Sequence, residues 1–281
     1  MNDLQANETL REWNESAPYW ERHKATIRTM FAPITRAIIE DAGITKGQSV
    51  LDVAGGPGEP SLSIAETMGA TGTVVCTDAV AEMVQAAERE ADRRGITNVS
   101  FRHCAADSLP FSNDSFDVVV SRLGAMFFPN PLVSFREMLR VTKPAGALTL
   151  VVWHKSELNP FSCIVTEVVS RYVETPAADA DAPGAFRFAE PGKLANILRH
   201  VGVIDVRERI LHFHIAAPIS VEEFWTMRSE ISESLREKLA TLDGEQRRRV
   251  STEVQAAVRG FFPGGHMNFP GQMIIVSARK P

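Results

Sequence analysis

The sequence predicts an α/β fold built on a mostly parallel sheet with helices on both faces. Two observations carry this expectation. From about residue 49, short β-rich runs alternate with segments of helical periodicity. Those runs are apolar at nearly every position, as strands covered on both faces require, instead of alternating apolar with polar.

Ser49-Val50-Leu51-Asp52-Val53 reads as the first strand, and a glycine-rich turn follows it. Residues 60–68 carry a short helix pattern. Thr73-Val74-Val75-Cys76-Thr77 is the second strand, closed by Asp78; Val80, Met83, Val84 and Ala87 then share one helical face. Val99–Arg102 is the third strand and Phe116–Val120 the fourth. Leu132, Phe135, Met138 and Leu139 mark the next helix, and Ala147–Trp153 the fifth strand. The flanks differ. Residues 1–45 read as helices anchored by Trp13, Tyr19, Trp20, Met30 and Phe31. The stretch 174–185, ETPAADADAPGA, reads as a loop or mobile cover. Residues 203–215 and 271–279 are two more strands, expected as an antiparallel edge. Between them 220–261 is largely helical, with Ser220 and Glu223 spaced as a capping box. One domain is expected over 1–281: a helical N-terminal cover (1–45), a core (46–155), inserted segments (156–202 and 216–262) and final strands (203–215 and 271–281).

Composition narrows the function classes. Of 281 residues, 44% are hydrophobic and 23% charged, enough to bury a sizeable core and unlike a disordered or collagen-like chain. The net charge of −5 disfavours nucleic acid and anionic membranes as partners. No apolar run reaches the length of a bilayer span. The polar start MNDLQANETLREW lacks the apolar region of a secretory signal. Cys76, Cys104 and Cys163 are odd in number and far apart, which fits a reducing compartment and neither a disulfide framework nor a metal site. A soluble cytoplasmic monomer or homodimer is expected.

The strongest local signal is Asp52-Val53-Ala54-Gly55-Gly56-Pro57-Gly58, between a strand and a helix. Glycine there lets backbone approach a ligand and present N–H groups. Such a loop is either a tight βα connection or a cradle for a dinucleotide or S-adenosylmethionine (SAM). Gly56-Pro57-Gly58-Glu59-Pro60-Ser61 puts serine where the dinucleotide fingerprint needs its third small residue. Asp52 and Glu59 would repel a pyrophosphate, whereas Asp52 suits the ammonium of a bound amino acid, directly or through water. Asp78, about 20 residues beyond Gly58, is placed either to accept both hydroxyls of a ribose or to cap the next helix. Asp107 either accepts from an adenine amino group or makes an Asx-turn before Leu109-Pro110. Ligands of open α/β sheets bind at the carboxyl ends of the strands, where these acids fall.

The segments VLDVAGGPGEP, VVCTDAVAEMV, AADSLPFSNDSFDVVVSRLGAMF and REMLRVTKPAGALTLVVW, spread over residues 47–153, resemble the class I SAM-dependent methyltransferases. Within these the pattern is similar to the ubiquinone/menaquinone C-methyltransferase (UbiE-like) group of the methyltransferase type 11 set. Ala54 stands where the family usually has the first glycine of its first motif, a replacement shared by UbiE-like members. The resemblance implies a Rossmann-like, seven-stranded fold and SAM as cofactor, released as S-adenosylhomocysteine (SAH). It implies that Asp52 and Ala54, Gly55, Gly56, Pro57 and Gly58 hold the methionine part, Asp78 the ribose, and Ala79 and Met83 the adenine. Ala106, Asp107 and Ser108 would read the adenine edge, with Ser121 and Arg122 under the cofactor. Tyr19 either covers SAM or anchors the N-terminal helices.

Methyl transfer from a sulfonium is an in-line displacement, so the protein positions donor and acceptor and excludes water. A general base is needed only where the acceptor must lose a proton. His154, directly after strand five, is the candidate base, or else a hydrogen-bonded structural histidine. Arg122 suits an anionic substrate, the SAM carboxylate or a surface ion pair. Met126, Phe127 and Phe128 either wall an apolar acceptor pocket or pack the next helix. Phe186, Phe188, Phe224, Trp225, Phe261 and Phe262 either shape that pocket or form the core of the insertions. His200, His212, His214 and His266 lack a metal-binding motif, so no metal is expected. The expectation is methyl transfer to a small, partly apolar molecule on O, N or C. The alternatives are a SAM-binding sensor or partner subunit without transfer activity, and a nicotinamide-dependent oxidoreductase, disfavoured by Asp52 and the missing third glycine.

Overall fold

The computed structural model describes residues 3–174 and 179–281. Two helices, α1 (Asp3–Arg22) and α2 (Lys24–Ala42), precede the first strand. The core then runs β1 (Ser49–Val53), α3 (Ser61–Met68), β2 (Thr73–Asp78), α4 (Ala81–Arg94), β3 (Val99–His103), β4 (Phe116–Arg122), α5 (Pro131–Val141) and β5 (Thr142–Trp153). Beyond it lie α6 (Pro160–Val169), α7 (Lys193–His200), β6 (Ile204–Ala217), α8 (Val221–Ile231), α9 (Glu233–Ala240), α10 (Gly244–Val258) and β7 (Met267–Arg279). Of the 174–185 stretch, residues 175–178 lie outside the described residues.

The strands form one seven-stranded sheet in the order β3-β2-β1-β4-β5-β7-β6. The five core strands are parallel, with Val50 opposite Val74 on one side and Val118 on the other. β7 runs antiparallel to both β5 and β6, so the last two strands are the antiparallel edge that the sequence predicts. The mostly parallel α/β fold is therefore as expected. The order reverses at β1, and the crevice beside that reversal is where such sheets bind ligands.

Local chemistry accounts for the element ends. Asn130 Oδ1 accepts from the Val133 N–H, and Pro131 occupies the first turn of α5, where its missing N–H costs nothing. The capping box at α8 is formed as its spacing predicts: Ser220 Oγ accepts from the Glu223 N–H, and Glu223 returns a carboxylate to the Ser220 N–H. β5 starts five residues before its predicted start. Pro144 and Gly146 hide this segment as a turn in the sequence; it pairs irregularly with β4, through a register shift between Phe116 and Val118. β7 likewise starts earlier than expected, because Pro270 is tolerated opposite His214.

The core is continuous across the sheet. Ile34 and Ile38 of α2, Leu51 of β1, Val119 of β4, Phe135 and Met138 of α5 and Leu150 of β5 are all completely buried. Burying side chains of this size contributes roughly 1.5–3 kcal/mol each. The inserted helices add their own aromatic centre: Phe161 of α6, Phe224 of α8 and Phe269 of β7 lie with ring centroids 5.2–5.7 Å apart.

Candidate active site

A cavity of about 420 Å³ opens at the carboxyl ends of the core strands. Its floor is the turn after β1, the end of β2, the segment after β3 and the end of β4. Its roof is α1 and α2. That volume falls in the range of small-molecule sites.

The glycine turn is held from below. Asp52 is completely buried; its Oδ2 accepts from Ser61 Oγ at 2.6 Å and from the Ser61 N–H at 3.1 Å. Burial raises its carboxyl from the ordinary value to about 7, against the pull of the Ser61 hydrogen bond and the Arg122 charge. Oδ1 has no partner, and neither does Ser121 Oγ. Asp52 thus lies under the loop and not on the cavity wall. The direct ammonium contact expected for it is not available in this geometry; it organises the turn. Gly55 is required where it stands, since a Cβ there would approach Cys76 Sγ to 2.6 Å and Asp52 Oδ2 to 2.8 Å.

Ala54, Gly55, Gly56 and Pro57 line the cavity, as do Asp78, Ala79, Met83, Ala106 and Asp107. Asp78 ties two parts of the floor together. Its Oδ2 accepts from the Gly56 N–H at 2.9 Å and its Oδ1 from the Val80 N–H at 3.0 Å. It serves the loop as well as the start of α4, and each oxygen retains a lone pair for a ligand hydroxyl. Burial raises its carboxyl above the ordinary value despite those backbone donors. Val80 and Met83 pack with Ala17 under Trp13 and Trp20, so this part of the cavity is closed from above by α1.

At the other end stand Arg122, Leu123, Gly124, Phe127 and Phe128. Arg122 Nη1 donates to Thr35 Oγ1 at 2.8 Å and Nη2 to the Glu59 carbonyl at 3.0 Å. Its guanidinium lies 5.9 Å from the centre of the Phe31 ring, and burial lowers its pKa. Trp13 meets Phe127 edge to face at 5.0 Å. Phe31, Phe127, Phe128 and Trp13 therefore make the wall at this end rich in aromatic rings.

Several predicted residues are not on the wall. Gly58, Ser121 and Met126 are buried behind it, and Ser108 is exposed outside it. Tyr19 does not cover the cavity; its ring sits beneath the guanidinium groups of Arg236 and Arg22, at 4.8 and 5.5 Å. Trp13 and Trp20 occupy the place proposed for it. His154 is buried, with Nδ1 at 2.9 Å from the Ala189 carbonyl, and does not reach the cavity. The role of catalytic base therefore does not fit it. Phe186, Phe188, Phe224, Trp225, Phe261 and Phe262 also fall outside the lining: Phe186 and Phe188 pack on Trp153 and Phe135, and Phe224, Phe261 and Phe262 pack around Phe269. Sequence reasoning missed Lys24, Arg28 and Phe31 as wall residues, together with Glu90, Arg93 and Arg94. The spacing of Lys24, Arg28, Phe31 and Thr35 on one face of α2 was the available signal.

A glycine-turn cradle and strand-end acids at the reversal of a doubly wound sheet, under a helical cover, define a nucleoside-cofactor domain. Residues 44–181 match a family described as a methyltransferase domain. An uncharacterized protein of Mycobacterium tuberculosis is 38% identical over 124 residues, 44% of this chain and 44% of that one. The nocamycin O-methyltransferase of Saccharothrix syringae is 29% identical over 268 residues, 92% of this chain and 94% of that one. The ubiquinone/menaquinone biosynthesis C-methyltransferase of Haemophilus ducreyi is 33% identical over 128 residues, 45% of this chain and 49% of that one. Among solved structures, the YcgJ protein of Bacillus subtilis superposes with a TM-score of 0.57 at 19% identity, over 88% of this chain and 97% of that one. The chain spans less than half the length of the M. tuberculosis relative that it matches. Over residues 44–181 the chain is thus similar to SAM-dependent methyltransferases in sequence, and its sheet has the fold of the YcgJ protein.

Proposed function

We propose that the chain transfers the methyl group of SAM to a small, partly apolar acceptor. The observation that carries this reading is one continuous cavity joining a nucleoside-type cradle (Gly55, Gly56, Asp78, Asp107) to an aromatic wall (Trp13, Phe31, Phe127). Asp78 would take the ribose hydroxyls, Ala79 and Met83 the adenine faces, and Ala106 and Asp107 its edge. The glycine turn would hold the methionine part over Asp52, whose unpartnered Oδ1 suits a bridging water. When bound, SAM supplies an electrophilic methyl on a good leaving group. The chain's own residues place the acceptor in line and exclude water beneath α1 and α2. The name of the nocamycin relative, which aligns over nearly its whole length, favours oxygen as the methylated atom. Segments 156–202 and 216–262 then support the cover from behind instead of lining the acceptor pocket.

Calorimetry tests the reading with SAM, SAH and NAD. Micromolar binding of SAM and SAH, silence with NAD, and loss of at least about tenfold in affinity for Asp78→Ala are expected, since two charge-assisted hydrogen bonds to the ribose disappear. Failure of the folded wild type to bind SAM or SAH would overturn the proposal.

A further inference from the structure

The ionisable groups of the cavity wall divide between its two ends. Asp78 and Asp107 belong to the nucleoside end. Lys24 and Arg93 share the Glu90 carboxylate, at 2.9 and 2.5 Å, and Arg94 pairs with Glu59 at 2.7 Å. Two cations remain with no carboxylate at ion-pair distance among the described residues, Arg122 and Arg28. Arg122 is only 9% exposed; both of its hydrogen bonds go to neutral oxygens, and its Nε has no partner at all. A buried guanidinium with carboxylates (Glu59, Asp52) near it but none in direct contact is incompletely compensated, and its free Nε donor is an unfilled site. Arg28 stands exposed at the mouth, on the face of α2 that carries Phe31 and Thr35. The two cations therefore flank the aromatic patch of Phe31, with Trp13 and Phe127 closing it.

The carboxylate that acts on Arg122 from the wall, Glu59, is engaged by Arg94 at 2.7 Å. No histidine lines the cavity among the described residues. Elsewhere on the wall, Glu90 of α4 is held at about 2, chiefly by its hydrogen bond to Arg93, and Cys104 after β3 is pushed by burial to about 11. A neutral phenol or alcohol would find no base here, whereas an acceptor that arrives as an anion needs none.

We propose that the acceptor is an apolar-bodied carboxylate, gripped by Arg122 and Arg28 against Phe31 and methylated on oxygen; this deepens the methyltransferase reading above and rests on it. A carboxylate oxygen lone pair forms the bond to the methyl carbon. The carbon–sulfur bond breaks and its electron pair returns to sulfur. The anion and the sulfonium become an ester and a neutral thioether, and no proton moves. Because the negative charge fades in the transition state, the two arginines act on affinity and placement, and their loss raises KM more than it lowers kcat.

The test is a calorimetric titration of SAH-saturated protein with 1-naphthoate and with 1-naphthamide, its neutral isostere. Naphthoate is expected to bind at least about tenfold more tightly, the effect of charge-assisted hydrogen bonds. Arg122→Met should abolish the difference, and Arg28→Gln should reduce it with SAH affinity held within about twofold. Equal affinity for acid and amide would overturn the proposal. So would an Arg122→Met protein that loses SAH but keeps naphthoate, because the guanidinium would then serve the cofactor's own carboxylate. Should Arg122→Met fail to fold by circular dichroism, Arg28→Gln, which breaks no described contact, and Arg122→Lys carry the comparison. If the wild type binds no SAH, the methyltransferase reading fails, and the acid–amide comparison on the free protein still decides this inference separately.

Discussion

Single residues store strain where the floor of the cavity turns. Ala54 and Leu123, both on the cavity wall, hold φ of 60° and 64°, the left-handed region that costs a side chain about 1–2 kcal/mol. Their turns are interlocked. A Cβ on Gly124 would come within 2.5 Å of Ala54 Cβ and 2.9 Å of Ser121 Oγ. Overpacking of this kind typically costs about 1–3 kcal/mol. Gly124→Ala should therefore lower stability by that amount and weaken SAM binding by shifting the glycine turn. Ala54→Gly removes the blocking methyl and the strained alanine together, so the double variant should recover at least half of the loss. A denaturant double-mutant cycle measures this coupling. Additive effects would show that the two turns do not bear on one another. This contact joins positions 54 and 124, so no local pattern in the sequence could have announced it.

At the scale of elements, the cover is the part that function asks to move. α1 is tied down at its end by Arg22 and His23, which meet Glu230 of α8 at 2.7 and 2.6 Å. Trp20 Nε1 donates to the Ile231 carbonyl at 3.2 Å, and Arg236 donates to Ser16 Oγ at 2.9 Å. Most of these groups are partly exposed, and such pairs contribute about 0–1 kcal/mol. Glu230→Ala should barely shift global unfolding, yet it should speed tryptic cleavage after Arg22 and Lys24 several-fold, with SAM restoring protection. Unchanged cleavage would mean that apolar packing of Trp13 and Trp20 alone seats the helix. The sequence made the core elements legible because each buried strand is a short apolar run and each helix repeats its apolar face. The cradle residues after β1 and β2 were legible for the same reason, being fixed within a few positions of a strand end. The roof was not. Trp13, Trp20 and Phe31 read as generic anchors, since nothing local tells which cavity a helix covers, and His154 read as a base because the Ala189 carbonyl that occupies it is distant in sequence.

For the molecule as a whole, buried carboxyl groups raised above their ordinary values shape how stability responds to pH: Asp78 in the same direction as two others, which reach about 7. Asp52, desolvated under the glycine turn, titrates near 7. Glu233 opens α9, with both carboxylate oxygens buried and unpartnered; burial first, and then the charges of Glu12, Glu237 and Glu15, raise it to about 7 as well. In the unfolded chain these groups titrate near their ordinary 3.8 and 4.5. Between roughly pH 4 and 7 the native state therefore holds protons that the unfolded state has released, and stability falls as pH rises through that window. Carboxylates held low, such as Glu90 at about 2, act with the opposite slope, but only below their ordinary value of 4.5. The two slopes place the stability maximum near pH 5, on the acid side of neutrality. The melting temperature of the ligand-free protein should be higher at pH 5 than at pH 7.5. Glu233→Gln should flatten part of that slope by replacing a titrating group with a neutral one of the same shape, while leaving the Asp52 contribution. A melting temperature that climbs steadily from pH 5 to 8, or a Glu233→Gln profile parallel to wild type, would show that the buried carboxyl at the foot of α9 finds a proton-independent partner. In the expected case the same titration reaches the cavity: α9 packs against α1, so ionising Glu233 beside Glu12 and Glu15 loosens the cover from its support, and tryptic cleavage near residue 22 should accelerate over the same pH interval in which the melting temperature falls.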